Sequence, residues 1–256
     1  MDGNAMAESG LIQERYERIV CDWRRLGIQN REQLASVLAD YRVYFAYNSG
    51  KIENVNITYR DTREVFESGR VVGYTGDVRT LFEIQNQKEC HELLLDAYAA
   101  NRLLDEALVL EAHRTLTQGT YDERRWSRGE RPGCYKLHDY VVGVSQVGSA
   151  PDAVAEDVAG LLDELAATTR DNVLTVAAYF HAAFEAIHPF ADGNGRVGRA
   201  LSNYLLVSYD HPPIIVFEED RMAYYGAMQV WDEEGDLDPM LDLLRAEAVK
   251  TWRKGL

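Results

Sequence analysis

The fold of this chain is decided by the stretch from His188 to Arg199, which reads HPFADGNGRVGR. It brings a histidine, a carboxylate, a glycine-rich turn and two arginines together within twelve residues. These groups can supply a general base, a ligand for a hard cation, backbone N–H groups for an anion and two fixed positive charges. The combination suits binding and transfer of a phosphate-bearing group, which points to nucleotide chemistry.

Two predicted helices flank this stretch. Residues 171–187 carry apolar side chains at helical spacing after Asp171, a residue type that can cap a helix N-terminus. Pro189 ends this helix, so His188 is expected at its C-terminal end. Residues 196–209 form the second predicted helix, whose N-terminus adds partial positive charge near the glycine turn.

The turn between these helices is predicted to bind an anion. Gly193 and Gly195 permit backbone conformations closed to other residues, so the N–H groups of Gly193, Asn194 and Gly195 can converge on a phosphate. Arg196 and Arg199 are three residues apart and share one face of the second helix, where their guanidinium groups can hold neighbouring phosphates.

Asp192 directly precedes the turn. A hard divalent cation takes carboxylate and phosphate oxygens together, so this side chain is placed to hold Mg²⁺ on a bound nucleotide. Taken singly, a histidine at a helix end, a glycine turn and a pair of arginines each have an ordinary structural explanation. Their conjunction at this spacing favours a functional site.

The stretch matches the pattern His-x-Phe-x-(Asp/Glu)-Gly-Asn-Gly-Arg-x-x-Arg at every specified position. In this respect the sequence resembles the Fic family. The resemblance implies an all-α fold with a Fic-type helical core, a short β-hairpin flap and an N-terminal helical regulatory segment. It also implies a protein adenylyltransferase with ATP as substrate and Mg²⁺ as cofactor. His188 would take the proton from a Ser, Thr or Tyr hydroxyl of a protein, and that oxygen would attack the α-phosphorus while Arg199 orients the γ-phosphate.

A second match lies upstream of the first. Ser49, followed by Glu53 and Asn54, resembles the (Ser/Thr)-x-x-x-Glu-(Gly/Asn) inhibitory motif of Fic proteins that carry their own inhibitory helix. The resemblance implies that Glu53 pairs with Arg199 and keeps ATP out of a reactive pose. Six residues are a weak signal on their own, and an ordinary solvated helix is the alternative.

Two further segments follow in the family's order. Residues 133–136 (GCYK) and 139–147 (DYVVGVSQV) resemble the Gly-x-Tyr-Arg segment and the flap, with Lys136 where arginine is more usual. In the family the flap pairs with a strand of the target, so a protein substrate is the expected partner; a surface hairpin without this role is the alternative. Tyr224 and Tyr225 resemble residues that enclose the nucleotide base, although tyrosines at helical spacing are also common in cores.

Composition narrows the class of protein. The 256 residues include 27 basic and 42 acidic side chains, which give a formal charge of −15. Such an acidic surface argues against nonspecific binding to nucleic acid or to an anionic membrane. Cys21, Cys90 and Cys134 lack metal-ligand spacing and predict reduced thiols in a cytoplasmic protein. With no signal peptide or long apolar run, residues 1–10 are expected to form a flexible tail.

Helical patterns cover most of the chain. Besides the two helices around the motif, the predicted helices span residues 11–26, 31–48, 83–100, 104–117, 151–168 and 241–252. The short glycine-rich segment 69–77 predicts a joint between an N-terminal regulatory segment, residues 1–68, and a catalytic core, residues 69–256.

Two other functions fit the same sequence. The Fic fold can also remove AMP from a protein, in which case Glu53 would align a water and act as a catalytic residue of a hydrolase. Alternatively, the chain is chiefly a helical adaptor with a largely silent site, whose acidic N-terminal helices bind a partner. Fic proteins often dimerise, so the resemblance also raises the expectation of a homodimer.

Overall fold

The computed structural model describes residues 2–142, 145–253 and 255, and it confirms the all-α fold. The helices are α1 (Asp2–Arg25), α2 (Arg31–Val37), α3 (Tyr41–Glu53), α4 (Tyr59–Ser68), α5 (Val78–Ala99), α6 (Glu106–Thr117), α7 (Glu123–Ser127), α8 (Val154–Glu164), α9 (Val173–Ile187), α10 (Asn194–Ser208), α11 (Arg221–Glu234) and α12 (Asp238–Thr251). Two short strands, β1 (Tyr140–Val142) and β2 (Ser145–Val147), pair in antiparallel orientation with Tyr140 opposite Val147. No helix within the described residues is long and apolar enough to cross a membrane.

The N-terminal helices have different boundaries from those predicted. α1 begins at Asp2, so the expectation of a flexible tail was wrong; good helix formers at residues 5–8 extend the helix past the nearby glycines. A turn at residues 38–40 separates α2 from α3, where one continuous helix was predicted. α3 then continues to Glu53, which places Ser49 and Glu53 one turn apart on the same helix.

The helices around the motif agree closely with the prediction. α9 begins at Val173, and its N-cap residue is Asn172 rather than Asp171. α10 begins at Asn194, two residues earlier than predicted, because Gly193 adopts a left-handed φ of +88° and turns the chain directly into the helix. The two helices approach closely at Gly198, where a Cβ atom would lie 2.6 Å from Nδ1 of His181.

The core joins both halves of the chain. The largest apolar cluster is built on α6, α9 and α10, and includes the fully buried Leu116, Phe184 and Leu201. A second cluster packs Trp23 of α1 against Trp252, which follows α12, with ring centroids 5.6 Å apart. Helices on both sides of the predicted joint therefore share buried surface, and a boundary between residues 68 and 69 stays a prediction.

Trp23→Ala should lower the free energy of unfolding by about 3–5 kcal/mol, since it leaves a cavity between α1 and α12. Because the two halves share this cluster, the whole thermal transition should shift, which calorimetry and circular dichroism would measure. Trp126→Ala is the control, because Trp126 is 46% exposed and its loss should have little effect. If Trp23→Ala shifted only one of two separate unfolding transitions, the two halves of the chain would not share a core.

Candidate active site

His188 lies at the end of α9, held between two backbone anchors. It adopts a left-handed φ of +50°, and its N–H donates to the carbonyl of Phe184. Directly before it, the N–H of Ser149 donates to the carbonyl of Ile187 at 2.9 Å. Directly after it, the N–H of Lys136 donates to the carbonyl of Pro189 at 2.9 Å. The segment that contains β1 and β2 is therefore tied to the chain on both sides of His188.

Gly148 brings the end of β2 against His188. It has a φ of +77°, and a Cβ atom there would lie 2.4 Å from the carbonyl oxygen of Ile187 and 2.5 Å from Cβ of His188. A side chain at this position has neither the conformation nor the space it needs. Gly143 and Val144, at the tip of the predicted flap, lie outside the described residues, and the flap's role in binding a target stays a prediction.

The environment of His188 favours its neutral form. Burial lowers the pKa of His188 to about 4, and the positive charge of Lys136 acts in the same direction. The backbone of Glu185 opposes this change only partly. At neutral pH the imidazole is therefore uncharged, and one of its ring nitrogens has a lone pair for accepting a proton.

The glycine turn exposes the N-terminus of α10. The side chain of Asn194 clamps the turn, since its Oδ1 accepts from the N–H of Phe190 and its Nδ2 donates to the carbonyl of Phe190, each at 2.9 Å. Gly193 has the positive φ that the sequence predicted. Gly195 does not, and this part of the prediction was wrong. Glycine is needed at position 195 because there is no space for a side chain: a Cβ atom would lie 2.3 Å from Oε1 of Glu53 and 2.9 Å from Nη1 of Arg199.

His113 of α6 supports the turn from the core side, a role that the sequence analysis missed. Its ring stacks on Phe190 with centroids 3.6 Å apart. The N–H of Gly133 donates to Nδ1 at 2.9 Å, so Nε2 carries the proton and donates to the backbone carbonyl of Asp192 at 3.1 Å. Burial lowers the pKa of His113 to about 3, which preserves this neutral form. The available signal was a histidine among the apolar positions of the helix predicted over residues 104–117.

Arg199 is buried, with 4% of its surface exposed, and is well supplied with partners. Its Nε donates to Oγ of Ser49 at 3.1 Å, and its Nη2 donates to the backbone carbonyl of Ser49 at 2.9 Å. The same Nη2 donates to Oε1 of Glu53 at 2.8 Å. On the other side, Nη1 donates to the hydroxyl of Tyr224 at 3.3 Å. The end of α3 is therefore packed directly onto this guanidinium group.

Arg196 is also buried, with 3% exposed, but has far fewer partners. Its Nη2 donates to Oδ1 of Asp192 at 3.3 Å, and its Nη1 lies 3.8 Å from Oε1 of Glu83. Nε and Nη1 find no hydrogen-bond acceptor among the described residues. Buried donors without acceptors are unfavourable, so the arrangement suits an added anion beside the N-terminus of α10.

Asp192 lies among three arginines. Its Oδ2 accepts from Nη2 of Arg79 at 2.8 Å and lies 3.6 Å from Nη2 of Arg125, while Oδ1 faces Arg196. Burial raises the pKa of Asp192, but the charges of Arg196, Arg125 and Arg79 outweigh burial, so the pKa is below its usual value. The carboxylate is therefore ionised at neutral pH.

Asp192 could hold a cation only jointly with a nucleotide, because its nearest charged neighbours are three arginines. Among the described residues no group of three or more His, Cys, Asp or Glu side chains could hold a metal ion. Mg²⁺ commonly takes one or two protein carboxylates and completes its shell with phosphate oxygens and water. One ionised carboxylate beside the unsatisfied donors of Arg196 suits this mode of binding.

Tyr224 and Tyr225 have different surroundings. Tyr224 is 2% exposed, its hydroxyl is hydrogen-bonded to Nε2 of His181 at 2.7 Å, and the guanidinium carbon of Arg199 lies 5.8 Å from its ring centroid. Its observed contacts thus support Arg199 from the core side. Tyr225 is 45% exposed, so its ring is accessible to a ligand. Contact of either ring with a nucleotide base stays a prediction.

Comparison with known proteins identifies the family of this chain. Residues 103–206 match the Fic/DOC family. A Fido domain-containing protein from Dictyostelium discoideum is 33% identical over 103 residues, which cover 39% of this chain and 71% of that protein. The chain belongs to the Fic/DOC family.

Longer relatives and solved structures extend the comparison. Protein adenylyltransferase fic-1 from Caenorhabditis briggsae is 27% identical over 228 residues, 84% of this chain, and the chain spans 41% of the length of that relative. A Fic domain containing signalling protein from Bacteroides thetaiotaomicron has a TM-score of 0.75 at 21% identity and covers 93% of both chains. This structural likeness establishes the fold.

His188 should titrate near pH 4 in the folded protein, well below the ordinary histidine value of about 6.5. As pH falls through this interval the unfolded chain takes up the proton first, so His188 lowers the stability of the folded state progressively from about pH 6.5 to about pH 4. Ring signals in NMR spectra, assigned by their loss in His188→Ala, would measure the pKa. Titration of this ring near pH 6.5 would contradict its burial as a neutral base.

Proposed function

We propose that this chain is a Mg²⁺-dependent protein adenylyltransferase that moves AMP from ATP to a Ser, Thr or Tyr hydroxyl of a protein. The observation that carries the proposal is the position of His188 at the end of α9, eight residues before the buried guanidinium of Arg196, which has two nitrogens without an acceptor among the described residues. A base and a site for an anion are thereby combined in one short segment, residues 188–196. Relatives named protein adenylyltransferase support the assignment of AMP as the transferred group.

His188 acts on the incoming hydroxyl. Its lone-pair nitrogen accepts the hydroxyl proton while the oxygen forms a bond to the α-phosphorus. The bond from the α-phosphorus to the bridging oxygen breaks, and pyrophosphate leaves with the electron pair. The backbone anchors on both sides of His188 support a role for β1 and β2 in presenting a target strand to the imidazole.

The phosphates are bound by the turn and the two arginines. The backbone N–H groups of Gly193, Asn194 and Gly195 open α10, and the field of the helix N-terminus favours a negative charge. Arg196 offers Nε and Nη1 to the phosphate oxygens, while Arg199 receives the γ-phosphate. Asp192 would hold Mg²⁺, which neutralises phosphate charge when bound.

Glu53 acts as an internal brake on this reaction. Its carboxylate occupies Nη2 of Arg199, and the preceding turn of α3 places Ser49 on Nε and Nη2 of the same group. A γ-phosphate and the Glu53 carboxylate are both anions that need these donors, so binding of one opposes binding of the other. The side chain of Glu53 is 37% exposed, which leaves it a path away from Arg199.

Removal of AMP from a modified protein is the second candidate function. The negative charge of Glu53 partly opposes the lowering of the His188 pKa, and the Glu53 side chain is 37% exposed, so water can reach its carboxylate. These features suit alignment of an attacking water. AMP-modified product incubated with the unchanged chain and with Glu53→Gly would distinguish the two, because hydrolysis that requires Glu53 supports this candidate. A silent adaptor would bind no ATP even in Glu53→Gly.

The first test of the proposed function uses Glu53→Gly with a cell lysate and ATP labelled either at the α-phosphate or at the γ-phosphate. Protein should acquire the α-label and not the γ-label. Adding His188→Ala should reduce labelling by about 10²–10⁴-fold, because the general base is lost. ATP binding by calorimetry should persist in that double variant. Transfer of the γ-label, or full labelling without His188, would overturn the proposed reaction.

The second test concerns the brake. Glu53→Gly should raise labelling by about tenfold or more over the unchanged chain, since the loss of one charge-assisted contact frees Arg199. Adding Arg199→Ala should remove most of this gain, so the two effects should be strongly non-additive. Lys51→Gly is the matched control, because it places the same flexible residue on α3 and leaves Glu53 in place. Equal labelling by the unchanged chain and Glu53→Gly at saturating ATP would contradict the brake.

A further inference from the structure

A series of hydrogen bonds connects the end of α3 with Asp192. Nδ2 of Asn54 donates to Oε2 of Glu83 at 2.6 Å. Nε of Arg79 donates to the other oxygen of Glu83, Oε1, at 2.9 Å. Nη2 of Arg79 then donates to Oδ2 of Asp192 at 2.8 Å. Two residues of α5 thus connect the motif that holds Glu53 with the carboxylate assigned to the cation.

The orientation of Asn54 is fixed by its other contacts. Its Oδ1 accepts from the N–H of Asn56 at 2.9 Å, so Nδ2 must face α5. There it also donates to Oγ1 of Thr80 at 3.1 Å. Because Asn54 is the C-terminal cap of α3 and directly follows Glu53, a displacement of this end of α3 moves both side chains together.

Arg79 is held between two carboxylates. The Glu83 side chain is 5% exposed and that of Asp192 is 18% exposed, whereas the Arg79 side chain is 38% exposed. In the observed orientation Nε and Nη2 bind the two acids at the same time, and the planar fork of the guanidinium group favours such paired contacts. A group that is fixed by Glu83 on one side therefore keeps its other donors directed at Asp192.

We propose that Arg79 competes with the divalent cation for Asp192, and that Asn54 keeps Arg79 in the competing position through Glu83. The inference rests on the proposed function, which makes Asp192 the cation ligand. Oδ2 cannot accept the short hydrogen bond from Arg79 and coordinate a divalent cation in the same direction, and the two positive charges repel each other. Arg79 is thus a positioning residue that acts on the cation through Asp192.

This gives α3 two separate effects on the site. Glu53 acts on Arg199, which is assigned to the γ-phosphate, and Asn54 acts through α5 on the carboxylate assigned to the cation. Movement of α3 would release both at once. The release of Arg79 does not depend on a γ-phosphate, so it can be measured with a nucleotide that lacks one.

Arg125 provides a matched comparison for Arg79. Its Nη2 lies 3.6 Å from the same Oδ2 of Asp192, too long for a hydrogen bond. Its Nη1 is instead paired with Asp122 at 3.1 Å. Removing either arginine removes one positive charge near the carboxylate, but only removal of Arg79 also removes a hydrogen bond to Oδ2.

The test is a titration of the full chain with Mn²⁺ at saturating ADP, in which the electron paramagnetic resonance signal of free Mn²⁺ is compared with that of a protein-free titration at the same ADP concentration, because ADP itself binds Mn²⁺. ADP leaves Glu53 on Arg199 because it has no γ-phosphate. Arg79→Gln should lower the Mn²⁺ concentration for half-saturation by about tenfold, the effect of one charge-assisted hydrogen bond. Asn54→Leu, which changes no charge, should lower it by about threefold. Damage to the fold would weaken binding, so tighter binding identifies release of Asp192.

The controls separate this inference from the proposed function. Arg125→Gln should lower the Mn²⁺ concentration for half-saturation less than Arg79→Gln does. Equal effects would mean that only the loss of a nearby positive charge matters, and this would overturn the inference. Asp192→Asn should weaken Mn²⁺ binding. If Asp192→Asn weakens binding but Arg79→Gln and Asn54→Leu leave the Mn²⁺ concentration for half-saturation unchanged or raise it, the inference is wrong. The role of Asp192 as cation ligand is then retained. If Asp192→Asn leaves Mn²⁺ binding unchanged, the cation role of Asp192 is wrong and the inference fails with it.

Discussion

Two buried guanidinium groups, those of Arg196 and Arg199, are the constraint on which the site depends. A charge removed from water is unfavourable unless partners replace its hydration. For Arg199 the chain supplies those partners itself, from Ser49 and Glu53 at the end of α3. For Arg196 it supplies Asp192 and leaves two nitrogens unsatisfied among the described residues. The site is therefore compensated on one side by its own helix and remains suited to an external anion on the other.

The turn that precedes these arginines is fixed by contacts from inside and outside the motif. His113 stacks on Phe190 and donates to the backbone of Asp192, Asn194 clamps Phe190, and Gly148 lets β2 approach His188. These contacts come from α6, from the first residue of α10 and from the residue that follows β2. Preorganised donors and a preoriented base need little rearrangement when charge develops during a reaction, and such preorganisation is a major source of catalytic power.

The sequence predicted the helices that depend on local residue patterns, but not the features that depend on packing between distant segments. α9 and α10 were found to within two residues at each end because helical periodicity, proline and glycine act within the segment itself. The break between α2 and α3 was missed, since the apolar pattern continues across it. The contacts of Arg79 and Glu83 could not be predicted from the residues around them. An arginine on a helix surface has the same local sequence pattern whether it faces solvent or Asp192. Gly195 shows the same limit: a glycine required for space cannot be told from one required for a positive φ.

The pairing of Glu53 with Arg199 has a consequence for how long a form of the protein without this pair would persist in a cell. Once the carboxylate leaves, a buried guanidinium loses a compensating charge, so the separated state is less stable than the paired one. Under the proposed function, a bound nucleotide would restore that compensation and stabilise the folded state by mass action. Stability would then depend on ATP, and a chain that lacks Glu53 would be more exposed to proteolysis when nucleotide is scarce. Degradation would limit the abundance of such a chain.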